Sequence, residues 1–117
     1  MHPKSAKLLE DIRDSAAFIR EATQGKTLDD YRANRLLRQA VERNFEIMGE
    51  AVNRLTGYDP DIAERIAHTS QIVAFRNVLI HGYDLVDDTR VWDAVLEDLP
   101  PLEAQVETLL RETEDTS

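Results

Sequence analysis

Between positions 76 and 83 the chain reads Arg76-Asn77-Val78-Leu79-Ile80-His81-Gly82-Tyr83. Arginine carries a permanent charge on a planar fork that fits phosphate oxygens. Histidine titrates nearest neutrality, so it can accept or give a proton there. These are two of the parts that metal-free cleavage of a phosphodiester needs. Asn77 adds an amide and Tyr83 a phenolic hydroxyl to the same short stretch. Helix geometry limits what they can do together. Asn77 and His81 stand one turn apart and share a face, so the amide is expected to bond one imidazole nitrogen and orient the ring. Arg76 and His81 are separated by about 140° around an ideal helix. One straight helix therefore does not aim both at a single small group. Either its last turn is distorted near Gly82, or a second copy of the chain completes the cleft. Alone, an Arg-x4-His pair has little specificity, and a histidine in a last helical turn also serves as a plain cap that favours the dipole.

The elements that must hold these residues are helical by pattern. No β-branched run alternates strictly, and only four glycines and four prolines punctuate the sequence. A first helix is expected over about residues 4–23, through Leu8, Ile12, Ala16 and Ile19, closed by Gly25. Thr27 caps a second, with Asp30 as an acidic capping-box partner, and this helix is expected to run unbroken to about Leu55. Its seam of Leu37, Val41, Asn44, Met48, Ala51 and Leu55 suits antiparallel packing or pairing with a second copy. Asn44 within it either fixes register or bonds a neighbouring side chain. Gly49 in mid-helix costs on the order of 1 kcal/mol relative to alanine, which the close approach of another helix would offset. Glu46 and Glu50 share a face and are candidates to pair with Arg43 or Arg76 and organise a groove; a structural ion pair is the plainer reading.

A turn at 56–60 leads to a short helix over about Pro60–Ala67. Thr69 or Ser70 then caps the helix that carries the motif, which ends at Gly82. Ile72, Val73, Ala74, Phe75, Val78, Leu79 and Ile80 cover most of its circumference, so it is expected to be largely buried. A final helix begins at Asp88 or Thr89, kinks or restarts at Pro100-Pro101, and frays into a flexible tail from about residue 112. One domain, 1–117, accounts for the whole sequence.

Composition narrows the function classes. There is no cysteine, which removes disulfides and thiolate metal sites. No window approaches the ~18 apolar residues of a membrane span, and no leader peptide is visible, so the expected location is the cytoplasm. The net charge of −9 resides entirely in residues 84–117, where eleven acids face two arginines; residues 1–83 balance twelve acids against twelve bases. A balance of this sign argues against general nucleic-acid affinity and against DNA, yet it leaves room for a local basic cleft. Arg32, Arg35, Arg38 and Arg43 form such a cluster, or else a solvated face with intrahelical pairs such as Arg38–Glu42 and Arg43–Glu46.

With those residues in view, the sequence resembles the HEPN-domain ribonucleases of the HepT type. Arg76-x4-His81-x-Tyr83 looks like the family signature. Arg43 through Ala51 resembles its long-helix segment, and Val91-Trp92 with Leu99-Pro100 resembles its final helix. The resemblance implies an all-α, up-and-down bundle of four to five helices, homodimeric, with the motif helices at the interface. It implies a metal-independent endoribonuclease without cofactors, the toxin of a type VII-like toxin–antitoxin pair. Arg76 would stabilise charge on the phosphate, His81 would act as general acid or base, and Asn77 matches a polar position common in the motif; Arg43, Glu46 and Glu50 are candidate groove or RNA contacts on the reading of the residues themselves. Tyr83 would accept AMP from an MntA-like nucleotidyltransferase antitoxin, switching the activity off. The rival expectation is a non-catalytic substrate-binding or regulatory partner of a nucleotidyltransferase.

Overall fold

The computed structural model describes residues 2–115, apart from the side chains of Tyr83, Glu114 and Asp115. It is all-α. The elements are α1 (Pro3–Thr23), α2 (Leu28–Ala33), α3 (Arg35–Tyr58), α4 (Pro60–Ala63), α5 (Thr69–His81), a 3-10 turn (Tyr83–Leu85), α6 (Asp88–Asp93), a π turn (Ala94–Asp98) and α7 (Leu99–Asp115).

Helix α1 starts where His2 accepts the Lys4 N–H at 3.0 Å through its imidazole, ahead of Pro3 in the first turn. Its residues Leu8, Leu9, Ile12, Ala16 and Ile19 are buried against α3 and α7. Gly25, just past its end, holds φ 75°, a conformation glycine adopts without steric cost. The capping box at Thr27 and Asp30 forms as expected, with both hydrogen bonds present. The long second helix does not run unbroken. Asn34 leaves helical angles at φ −119° and ψ 98° and its side chain accepts the Leu37 N–H at 3.0 Å, starting α3 afresh. The apolar seam of α3 is buried at Leu37, Val41, Met48, Ala51 and Leu55, while Asn44 is half-exposed and donates to the Ala40 carbonyl of its own helix. Asn44 therefore bonds neither a neighbouring side chain nor, in this chain, a register partner.

Four main helices pack in the order α5–α3–α1–α7. The seam between α5 and α7 stays open as a cleft of about 350 Å³ floored by Phe45, Met48 and Ile72. The buried core joins α1, α3 and α7 through Ile12, Val52, Leu55, Val106 and Leu109, and the tilted Tyr31–Trp92 ring pair ties α2 to α6. Each such side chain, fully buried, contributes roughly 1.5–3 kcal/mol.

Expectations change at several element ends. The short helix is only Pro60–Ala63, after which turns lead to His68. The cap of α5 is His68, at φ 62° and without a side-chain cap bond, so Thr69 and Ser70 lie inside the helix. At Pro100 and Pro101 the last helix restarts as expected: α6 ends at Asp93, the π turn follows, and α7 begins at Leu99. Prolines cannot donate to the preceding turn, and the chain answers by widening that turn into the π segment, where the Leu99 N–H reaches the Ala94 carbonyl. Helix α7 continues to Asp115, past the point where a tail was expected, and Glu112 accepts both Nη1 and Nη2 of Arg65 at 2.6 and 2.7 Å. Among the described residues no helix is long and apolar enough to cross a membrane.

Candidate functional site

Helix α5 carries the motif, and α3 positions it. Gly49 is buried in α3 where α5 crosses. A Cβ placed on it would collide with Arg76 Cβ and lie 2.8 Å from Arg76 Cγ and 3.4 Å from the Ile72 carbonyl oxygen. The missing side chain is what lets the stem of Arg76 lie on the α3 backbone, as the mid-helix glycine led one to expect.

The guanidinium of Arg76 is then held from two sides. Nη2 lies 2.9 Å from Glu50 Oε2, and Nη1 donates to Asn77 Oδ1 at 2.8 Å. Its Nε is buried and has no hydrogen-bond partner. The other oxygen of Glu50 faces Arg54 Nε at 3.0 Å, and Arg43 pairs with Glu46 at 3.1 Å. Arg43, Glu46, Glu50, Arg54 and Arg76 line one cleft of about 240 Å³, walled by Leu8, Ile47 and Ile80. The structure thus brings together four of the residues singled out in the sequence. Arg54 was missed, although its position four residues after Glu50 on the same helix marks it as a pairing partner.

Asn77 does not serve His81 here. The adjacent guanidinium takes its oxygen in a charge-assisted bond, stronger than a neutral amide–imidazole contact. His81 is exposed at the end of α5 and does not line the Arg76 cleft. The last turn is not distorted: the Gly82 N–H reaches the Val78 carbonyl at 2.8 Å, a regular helical bond. Arg76 and His81 therefore diverge as an undistorted helix requires. The 3-10 turn Tyr83–Leu85 follows at once, closed by the Leu85 N–H on the Gly82 carbonyl at 2.7 Å. The expected role of the Tyr83 hydroxyl lies outside the described residues.

The expectation that α5 is largely buried is overturned. Leu79 alone among its described residues is fully buried; Val78 and Ile80 are 46% and 37% exposed, and His81 and Asn77 face solvent. Its apolar circumference packs on α3 along one side and is uncovered along another. The intrahelical pair Arg43–Glu46 forms, whereas Arg38 turns to the Arg32 carbonyl instead of Glu42. Among the described residues no group of three or more His, Cys, Asp or Glu side chains is arranged to hold a metal ion.

A helical bundle that sets an arginine in a charged cleft and a histidine at the open end of the same helix has the features of a HEPN-type nuclease. The chain belongs to the HepT-like family: the family described as Ribonuclease HepT-like matches residues 12–109. A provisionally named RNase of Methanocaldococcus jannaschii is 34% identical over 101 residues, covering 85% of this chain and 90% of its own length. The "Probable ribonuclease HepT" of Thermococcus cleftensis is 32% identical over 105 residues, covering 86% and 91%. A longer M. jannaschii protein, named for a gamma-glutamylcyclotransferase and an RNase, is 32% identical over 106 residues; the match covers 89% of this chain and 46% of that protein. No solved structure matches. The family places the chain among ribonucleases, with RNA as the substrate class.

Proposed function

We propose that the chain is a metal-independent endoribonuclease toxin of a type VII-like toxin–antitoxin pair, working in the cytoplasm as a homodimer whose groove is built from two α5 helices. The observation that carries this reading is the divergence of Arg76 and His81 on an undistorted helix, beside apolar residues left uncovered at Val78 and Ile80. A second α5 laid against that face would set the His81 of one copy toward the arginine cleft of the other. The substrate 2′-hydroxyl then loses its proton to one His81 and attacks the adjacent phosphorus. The P–O5′ bond breaks, and the leaving oxygen takes a proton from the other His81. Products are a 2′,3′-cyclic phosphate and a 5′-hydroxyl. Arg76 offsets the charge growing on the phosphate, which is typically worth ~10²–10³-fold. Tyr83, next to Gly82 at the end of the motif helix, is the position where a nucleotidyltransferase antitoxin would attach AMP, adding phosphate charge where RNA must bind.

The test is cleavage of RNA by the purified chain with EDTA present. Arg76→Ala and His81→Ala should each abolish it, and Tyr83→Phe should cut RNA but escape modification by the antitoxin. Cleavage that survives both alanine changes would exclude this site. A second reading draws on the net charge of −9 and on the pairing of Arg76 within its own chain: a non-catalytic partner of a nucleotidyltransferase. RNA binding without any product under these conditions would select it.

A further inference from the structure

We propose that Glu50 is a positioning residue for the phosphate-binding arginine, a role that rests on the ribonuclease reading above. An arginine fork has five N–H donors. Glu50 and Asn77 each meet one terminal nitrogen of Arg76, at 2.9 and 2.8 Å. Neither contact is bidentate, so each terminal nitrogen keeps a second N–H for a phosphate oxygen. The Nε–H has no acceptor and cannot help to fix the plane of the group. Orientation therefore depends on Glu50 and Asn77, and Asn77 is exposed and neutral. Of the two, Glu50 is the charged contact and the one anchored elsewhere.

That anchorage is Arg54, at 3.0 Å from the second oxygen of Glu50. It fixes the carboxylate, which would otherwise rotate about its own side chain. It also sets the charge of the group. Arg54, Glu50 and Arg76 together carry one positive charge, in a cleft whose remaining charged groups, Asp11, Arg43 and Glu46, bring the whole to balance. Gly49 supplies the third constraint, by seating the stem of Arg76 on α3 immediately before Glu50. Arg54–Glu50–Arg76 is thus a relay from the surface of α3 to the reacting group, and Glu50 acts only through Arg76.

The experiment compares the wild-type chain with Glu50→Ala, Glu50→Gln and Glu50→Asp, each alone and with Arg76→Lys. Two readouts are taken: steady-state cleavage of a short RNA, and side-chain ¹⁵N relaxation of the Arg76 Nε–H. In Glu50→Ala the Arg76 Nε–H is expected to become mobile, and kcat to fall on the order of 10–10²-fold, the penalty of a misplaced group, with a smaller change in KM. Glu50→Asp should recover part of the loss. In the Arg76→Lys background, where the fork is already gone, Glu50→Ala should add nothing to the loss. An Arg76 Nε–H as ordered in the three single Glu50 variants as in the wild type overturns the proposal. So does a loss from Glu50→Ala that is undiminished in the Arg76→Lys background, which would mark Glu50 as a general structural residue. Absence of cleavage by the wild type refutes the ribonuclease reading alone, since relaxation still decides whether Glu50 holds Arg76.

Discussion

Gly49 and Arg76 meet at the level of single atoms, and the fit leaves no room for a methyl group. Gly49→Ala would gain about 1 kcal/mol of helix propensity, but the new carbon would strike the Cβ and Cγ of Arg76, atoms too near the backbone to swing aside. Overpacking of this kind costs about 1–3 kcal/mol, so it should win. We expect a net loss of up to about 2 kcal/mol by urea unfolding and a larger fractional loss of RNA cleavage, because Arg76 itself is displaced. Unchanged stability and activity would show that α5 can move away without consequence. At this scale much was legible. A mid-helix glycine implied a close crossing, and Glu50 with Arg76 was foreseeable as a pair of opposite charges. The partner of Asn77 was not, because spacing says which side chains can meet and not which of two acceptable partners holds the stronger bond. His81 was located by spacing alone, on a direction different from that of Arg76.

The elements show where periodicity fails as a guide. Apolar residues continue through Tyr31, Leu36 and Leu37, so the pattern runs across Asn34 without a mark. The break comes from a side-chain oxygen competing for a backbone N–H, which hydrophobic spacing does not register. The prolines at 100 and 101 gave a clear signal, and the chain answers it with a wider turn just ahead of them, a form that hydrophobic spacing does not specify. The junction of α2, α3 and α6 offers a pH test. Burial holds the Glu42 carboxyl above its ordinary range, and the nearby charges of Asp88 and Glu46 push the same way, against Arg38. The folded chain then keeps a proton that the unfolded chain has released. The Glu42 contribution to stability must fall as pH rises from the ordinary carboxylate range through the raised value, and stay lower at neutral pH. Glu42→Gln removes that linkage. Its stability gain over the wild type should be absent near pH 3 and should open as pH rises through this window; a gap independent of pH would mean that Glu42 ionises normally.

As a whole the molecule measures 45 × 29 × 19 Å, and its shortest dimension is less than two helix diameters of about 10–12 Å. Every main helix therefore reaches the surface, and α5 reaches it most. No reading of a single sequence separates an apolar face covered within its own chain from one left for another copy, which is why α5 looked buried. The homodimer expected from family likeness would cover that face at Val78 and Ile80. The open seam beside α7 has a further consequence. With α1, α3 and α7 supplying most of the buried core, and α5 adding Leu79 with Ile72, Val73 and Phe75 packed against it, the motif helix has the fewest fully buried side chains of the four main helices and is the one of them expected to detach first. Loss of function and loss of fold should then separate. In rising urea, RNA cleavage should disappear before far-ultraviolet circular dichroism reports unfolding, and amide hydrogens of α5 should exchange ahead of those of α1. A poison of modest concentration would disarm this protein while leaving most of it standing.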